Sequence, residues 1–320
     1  MTPIVRSAAL ILFAVLTPFA GGCDSFVKSA MLRAPNSGDS FEGQAAIVQA
    51  GPEIWGIDHE LFVPVGPPEA FLRVWIKEPL APAEVDHAAA PLEPRGTILV
   101  LHGWRAEAFW MRHIGDHFIE AGYRVALVDL RGHGGSTGDT ITFGARESRD
   151  MVHVLNALDQ ADLLAGPVGV WGVSMGGATA IQFAARDDRV KAVTAVAPFT
   201  SMREIAPIVV RRLLPLMHLA SDEELAQLVE EAAAENGFDP DDADTLAAIR
   251  KVQVPILIVH GTGDAIVPVD HGRALHEAAT GPAELIELGW TGHFTAHFSD
   301  TVVDHSLEFF DRTLHATSPQ

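Results

Sequence analysis

The sequence predicts an α/β fold in which a mostly parallel, eight-stranded sheet is covered by helices on both faces. Six apolar runs, at about 97–101, 124–129, 168–173, 190–196, 255–260 and 283–288, alternate with stretches of helical periodicity. Runs that are apolar throughout are typical of parallel strands buried on both faces. Two earlier runs, Glu60–Val65 and Phe71–Ile76, predict an antiparallel pair of strands at the start of the sheet.

The N-terminal residues have the pattern of an export signal. Arg6 precedes the apolar run Ala8–Leu16, and three small residues then lead into Cys23, the only cysteine of the chain. This arrangement resembles a bacterial lipoprotein signal, in which cleavage before the cysteine is followed by acylation of its thiol. We therefore expect a signal peptide over 1–22 and a lipidated Cys23 that anchors the protein on the extracytoplasmic side of a membrane of the cell envelope. The alternatives are an ordinary secretory signal and a short N-terminal anchor.

The rest of the chain is predicted to form a tether and one domain. Residues 23–52 contain Pro35–Ser40 and no sustained periodicity, which favours a tether. Residues 53–320 are long enough for a single α/β domain, with a cap insertion at about 200–249 that is longer than a simple crossover needs.

The most informative motif follows the apolar run Val168–Val173, where Gly172, Ser174 and Gly176 form a Gly-x-Ser-x-Gly turn before an Ala-rich stretch. A serine hydroxyl stands clear of a strand end only if the backbone bends sharply into a helix. The two glycines leave room for that bend. The pattern therefore predicts a nucleophile elbow with Ser174 as the nucleophile.

Two further segments supply partners in the chain order nucleophile, acid, histidine. One strand runs into His260-Gly261-Thr262-Gly263-Asp264, and the last strand is followed by Gly292-His293-Phe294. We predict His293 as the base that activates Ser174, and Asp264 as the acid that fixes the histidine tautomer. His297 is the rival base, whereas Asp270 is expected to cap the following helix.

With these motifs, residues 57–314 resemble the α/β-hydrolase family, within the group that contains esterases, lipases and serine aminopeptidases. The resemblance implies that backbone N–H groups of Met175, after the nucleophile, and Trp104, after the third strand, form an oxyanion hole. It also implies a structural role for Asp129, which lies in the loop after the fourth strand.

Composition excludes several partners. The chain has 42 Asp and Glu against 22 Lys and Arg, a net charge of −20, which opposes binding to nucleic acid and electrostatic attraction to anionic lipid. The Gly-rich segment 129–136 lacks the motifs of phosphate-binding loops, and the sequence contains no His-Glu-x-x-His pattern. We therefore expect neither a cofactor nor a metal.

The predicted cap insertion is strongly acidic. It contains a capping box at Ser221–Glu224, and from 213 to 249 there are ten Asp or Glu and no Lys or Arg. The first interpretation is a solvated acidic face. The alternative is a carboxylate that faces inward and receives a substrate amine, as in an aminopeptidase.

Together these features predict a serine hydrolase that cleaves carboxylic esters of small acyl substrates, similar to carboxylesterases and lipases. A serine peptidase is the second hypothesis. A non-enzymatic binding module of the same fold is the third, and loss of Ser174, Asp264 or His293 would be its signature.

Overall fold

The computed structural model describes residues 24–37, 55–79, 93–297 and 299–315. Eight strands form one sheet: β1 (His59–Val65), β2 (Ala70–Lys77), β3 (Thr97–Leu101), β4 (Arg124–Val128), β5 (Val168–Val173), β6 (Val190–Val196), β7 (Ile256–Gly261) and β8 (Ala283–Leu288). Their order is β1-β2-β4-β3-β5-β6-β7-β8. Strand β2 runs antiparallel to β1 and β4, and all other neighbouring strands are parallel. The predicted fold class and the antiparallel first pair are confirmed.

Ten α-helices are described, from α1 to α10 in chain order. They are α1 (24–32), α2 (Arg112–Glu120), α3 (Glu147–Gln160), α4 (Met175–Ala184), α5 (Met202–Leu213), α6 (Asp222–Glu235), α7 (Thr245–Ile249), α8 (Val269–Ala278), α9 (His293–His297) and α10 (Asp300–Leu314). None of these helices combines the length and the apolar character that a bilayer span requires.

Two apolar clusters hold the sheet between its helical layers. One contains the buried side chains of α3 and α4, and the other contains those of α2 and α10. The central strand β5 is buried at every position because both of its faces are covered. This arrangement fixes the carboxyl ends of the parallel strands, where the predicted site residues lie.

The N-terminal segment differs from the predicted tether. In α1, Val27, Met31 and Leu32 are buried in the first apolar cluster, and Lys28 forms ion pairs with Glu231 and Glu235 of α6. Residues 24–37 therefore pack against the domain instead of forming a free linker. The signal peptide, Cys23 and the rest of the predicted tether lie outside the described residues.

The segment between β6 and β7 is helical, and we call residues 202–249 the cap. It consists of α5, α6 and α7 with 3-10 turns at Pro215–Leu219 and Pro240–Ala243. The predicted capping box is confirmed, because the Ser221 hydroxyl accepts the Glu224 N–H and the Glu224 carboxylate accepts the Ser221 N–H. The buried side chains of helix α5 belong to the first apolar cluster.

Candidate active site

Ser174 lies in a strained turn between β5 and α4. Its backbone has φ 54° and ψ −116°, outside the regions that most residues adopt. A Cβ atom at Gly172 would lie 2.3 Å from the carbonyl oxygen of Gly176, and one at Gly176 would lie 2.3 Å from that of Leu101. Both glycines are therefore required by the close approach of the backbone, as the nucleophile elbow predicts.

The three side chains predicted to act together are in contact. His293 Nε2 lies 3.1 Å from Ser174 Oγ, and His293 Nδ1 lies 2.6 Å from Asp264 Oδ2. His293 begins the short helix α9 after β8, and Asp264 lies in the loop after β7. Because β5, β7 and β8 run parallel, their carboxyl ends bring these residues to one edge of the sheet. Asp270, expected from the sequence to cap α8, lies instead in its first turn and pairs with Arg273, and the N-cap is Pro268.

The Asp264 carboxylate is oriented by its own loop. Its Oδ1 accepts the N–H groups of Ile266 and Val267, each at 2.8 Å, which leaves Oδ2 for His293. Burial alone would raise the pKa of Asp264. The hydrogen bonds and the charge of His293 outweigh burial and hold that pKa below its usual value. The group is therefore ionised at neutral pH and can stabilise a protonated imidazole.

A second buried histidine, His260, supports the same loop. Its Nε2 lies 2.8 Å from the carbonyl oxygen of Val267 and 3.7 Å from Asp264 Oδ2. Burial lowers the pKa of His260, so the neutral ring donates to the carbonyl. No sequence pattern predicts this role of His260, because a histidine that supports a loop at a strand end has the same local sequence as a histidine on the surface.

The predicted oxyanion-hole residues lie next to Ser174. A Cβ atom at Gly103 would lie 3.5 Å from Ser174 Cβ, so the loop after β3 approaches the elbow closely. Trp104, the next residue, and Met175 both line the cavity that contains Ser174. Met175 is the first residue of α4, where a backbone N–H has no partner within the helix.

Buried polar contacts fix the loops around this edge. Asp129 forms an ion pair with Arg73 and accepts the N–H groups of Ala108 and Gly135. His102, one residue before Gly103, accepts the Leu130 N–H at 2.9 Å, and burial lowers its pKa to about 4. These contacts give Asp129 and His102 structural roles.

Ser174 and His293 open into a cavity of about 380 Å³ whose walls are mostly apolar. The walls come from the loop after β3, from α5 and from the loop after β7; they include Trp104, Trp110, Met111, Phe143, Phe199, Ile205, Val209, Ile266, Val267 and Phe294. Apart from His293, Arg212 is the only lining side chain with an ionisable group among the described residues. None of the ten acidic residues of 213–249 is among the described residues that line this cavity.

The described residues contain no cluster of three or more His, Cys, Asp or Glu side chains with the geometry to hold a metal ion. The polar groups at the serine are a hydroxyl, an imidazole and a carboxylate, connected in that order by two hydrogen bonds. Such an arrangement transfers a proton from the hydroxyl to the imidazole and directs the oxygen into the cavity.

Comparison with known proteins agrees with this geometry. The fold is that of the α/β hydrolases: the Pyrococcus furiosus esterase Pf2001 superposes with a TM-score of 0.64 at 19% identity, covering 82% of this chain and 96% of that chain. A family model described as serine aminopeptidase, S33, matches residues 92–235. The comparisons therefore show the α/β-hydrolase fold and a match to this family model over residues 92–235.

Two relatives from Bacillus subtilis also match. The uncharacterized protein YqkD is 28% identical over 198 residues, which is 61% of this chain and 64% of YqkD. The AB hydrolase superfamily protein YisY is 25% identical over 234 residues, 61% of this chain and 84% of YisY. The match thus spans less than two thirds of YqkD.

Proposed function

We propose that this protein is a serine hydrolase that cleaves carboxylic esters through an acyl-enzyme on Ser174. As Ser174 Oγ attacks the ester carbonyl carbon, His293 accepts the hydroxyl proton and Asp264 stabilises the imidazolium. The N–H groups of Trp104 and Met175 stabilise the negative oxygen of the tetrahedral intermediate. The ester C–O bond then breaks, and the alcohol leaves with the proton held by His293.

Water completes the cycle. His293 accepts a proton from a water molecule as the water oxygen attacks the acyl carbon of the Ser174 ester. When the second tetrahedral intermediate collapses, the bond to Ser174 Oγ breaks and His293 returns the proton to it. The carboxylic acid is released, and the net reaction consumes one water for each ester.

One observation carries this proposal: the hydroxyl, imidazole and carboxylate of residues 174, 293 and 264 are in hydrogen-bonding contact on the wall of an apolar cavity. Apolar walls favour an acyl chain, since its transfer from water to such a surface is favourable by about 0.8 kcal/mol per CH₂. The fold similarity to the Pf2001 esterase is in line with ester substrates.

Peptidase activity is the second candidate, favoured by the description of the matching family model. An aminopeptidase binds the free amino group of its substrate, and a carboxylate is the natural partner for that group. The described cavity lining contains no carboxylate and does contain the cation Arg212, which would repel an ammonium group. We therefore place ester cleavage first.

Labelling with a fluorophosphonate tests the nucleophile directly. The reagent phosphonylates an activated serine oxygen with release of fluoride, so wild-type protein should be labelled and Ser174→Ala should not. Ser29→Ala is the matched control, because Ser29 is exposed on α1, outside the cavity lining, and should leave labelling unchanged. A folded wild-type protein that is not labelled would support the binding-module hypothesis instead.

Substrate panels then separate the two reactions. Nitrophenyl esters of increasing acyl length and aminoacyl nitroanilides should be offered to the same preparation. The proposal requires ester hydrolysis that depends on Ser174 and a kcat/KM for amides that is much lower. Faster cleavage of amides with a free amino group than of esters would establish the peptidase alternative.

We also propose that Cys23 carries lipid and anchors the protein to a membrane on the extracytoplasmic side of the cell envelope. The sequence pattern of residues 6–23 supports this. Expression in a bacterial host should place the wild-type chain in the membrane fraction with an acylated N-terminal cysteine, and Cys23→Ser should abolish both. Mass spectrometry that finds an unmodified Cys23 in the membrane fraction would contradict the proposal.

A further inference from the structure

The apolar cavity meets a second cavity at Arg212. This residue lies near the end of α5 and lines the cavity that contains Ser174. It also lines a neighbouring cavity of about 530 Å³, together with Ile208, Arg211, His218 and Ala265. The two cavities therefore share the Arg212 side chain, and the second of them is lined by further basic groups.

Arg212 differs from the other arginines of its helix. Arg203 pairs with Asp241 and Glu230, and Arg211 pairs with Asp222 and donates to the Ala220 carbonyl. In the described part of the chain, the guanidinium of Arg212 is exposed and takes part in none of the ion pairs. A cation near a helix C-terminus is favourable by itself. Arg211 already supplies that interaction, so the helix does not account for the second arginine.

The overall charge makes this position unusual. The chain carries a net charge of −20, so its surface repels anions in general. A cation without a carboxylate partner on the wall of the cavity that contains Ser174 creates a local site where an anion is attracted. Guanidinium groups bind carboxylate and phosphate oxygens through paired hydrogen bonds.

We propose that the substrate is an ester of an apolar acid whose alcohol part carries a negatively charged group, and that Arg212 binds this anion. The inference rests on the proposed esterase function. The acyl chain occupies the apolar walls formed by Phe143, Phe199 and Ile205. The charged group stays outside them, since burial of a charge in an apolar space is unfavourable. It lies at Arg212, where the space continues toward Arg211 and His218.

The test compares octanoyl esters whose alcohol part is neutral or anionic. We would measure kcat/KM for 1-octanoylglycerol, for 1-octanoylglycerol 3-phosphate and for the octanoyl ester of glycerate. Wild-type protein should prefer the anionic esters by about tenfold, the effect of one charge-assisted hydrogen bond at a partly exposed site. Preference between the phosphate and the carboxylate ester identifies which anion the site accepts.

Arg212→Met removes the charge and keeps an apolar side chain of similar length, and Arg212→Lys keeps the charge. The methionine variant should lose the tenfold preference, measured as the ratio of kcat/KM for the anionic and the neutral esters, and the lysine variant should retain most of it. Arg203→Met is the matched control on the same helix. It removes one positive charge outside the cavity lining and should leave the preference intact.

The results distinguish failure of the anion-binding role of Arg212 from failure of the proposed esterase function. If the neutral ester is cleaved but wild type and Arg212→Met show the same ratio for anionic and neutral esters, the assignment of Arg212 is wrong and the esterase function stands. An equal loss of kcat/KM on all three esters in Arg212→Met also overturns the assignment of Arg212. If no ester is cleaved and the fluorophosphonate does not label Ser174, the proposed function itself fails.

Discussion

Replacement of Gly172 by alanine tests the close packing on which the elbow depends. The added Cβ atom would lie 2.3 Å from the Gly176 carbonyl oxygen, 2.4 Å from the Gly176 carbonyl carbon and 2.8 Å from the nitrogen of Gly177. All three are backbone atoms of the first turn of α4, so no side-chain rotation relieves the overlap. Helix α4 has to move away from β5, or the strand has to bend.

The magnitude follows from this geometry. Overpacking in a core costs about 1–3 kcal/mol, and we expect about 3 kcal/mol here because the contacted atoms belong to the backbone. For a domain of this size that loss lowers Tm by roughly 6 °C. A displacement of Ser174 Oγ by about 1 Å relative to His293 would in addition lower the reaction rate about 100-fold.

The assay is thermal unfolding together with the rate of fluorophosphonate labelling. Gly289→Ala is the matched control, because a Cβ atom there meets no heavy atom within 4 Å and the backbone is not in the left-handed region. It should leave Tm unchanged or raise it slightly, by less than about 1 kcal/mol in free energy of unfolding. If Gly172→Ala keeps the Tm and labelling rate of Gly289→Ala, the steric account of the elbow is refuted.

Three other perturbations give distinct results. Asp264→Asn should lower kcat for ester hydrolysis by about 10³–10⁴-fold with little change in Tm, because an amide no longer fixes the tautomer of the base; a loss below tenfold would contradict this role. Asp129→Ala leaves Arg73 buried without its carboxylate and should cost about 3–5 kcal/mol in urea unfolding. Asp242→Ala removes an exposed ion pair and should lower the free energy of unfolding by less than about 1 kcal/mol. Equal losses in Asp129→Ala and Asp242→Ala would refute the expected difference between the buried and the exposed ion pair. Burial, with a neighbouring histidine, lowers the pKa of His133 from 6.5 to about 3. The unfolded chain therefore binds the extra proton, so this part of the stability is present above pH 6.5 and is lost as pH falls toward the folded pKa. Between pH 6 and 4, the free energy of unfolding of His133→Gln, measured in urea, should change with pH less steeply than that of wild type, by up to about 1.4 kcal/mol per pH unit. An unchanged pH dependence would contradict the lowered pKa of His133.

The sheet was predictable because strands that are buried on both faces are apolar along their whole length. Strand β5 is covered on both faces and is apolar from Val168 to Val173, so its bounds agree with the prediction. The site was predictable for a related reason. Parallel strands end at the same edge, so motifs after β5, β7 and β8 meet there although they are far apart in the chain. The contacts among Ser174, His293 and Asp264 could be established only from the structure.

The N-terminal segment was not predictable in the same way. Helix α1 has about two turns, and its buried residues Val27, Met31 and Leu32 give too few repeats for a periodic signal. Its contacts are also distant in sequence, since Lys28 pairs with Glu231 and Glu235 on the cap. Local pattern therefore indicates a linker where the tertiary structure provides a docked helix.

The cap shows why charge composition did not predict the chemistry of the cavity. Several of its acidic residues form ion pairs outside the cavity or cap helices, as Asp244 does for α7, so the number of acidic residues does not indicate which side chains face the cavity. Arg211 and Arg212 are neighbours in the sequence, yet successive residues of a helix are about 100° apart around its axis. One arginine therefore reaches Asp222 while the other lines the cavity. The packing of α5 in the first apolar cluster decides which arginine faces the cavity. Under the proposed function, a single cation in an acidic chain therefore sets the charge of the substrate that binds there.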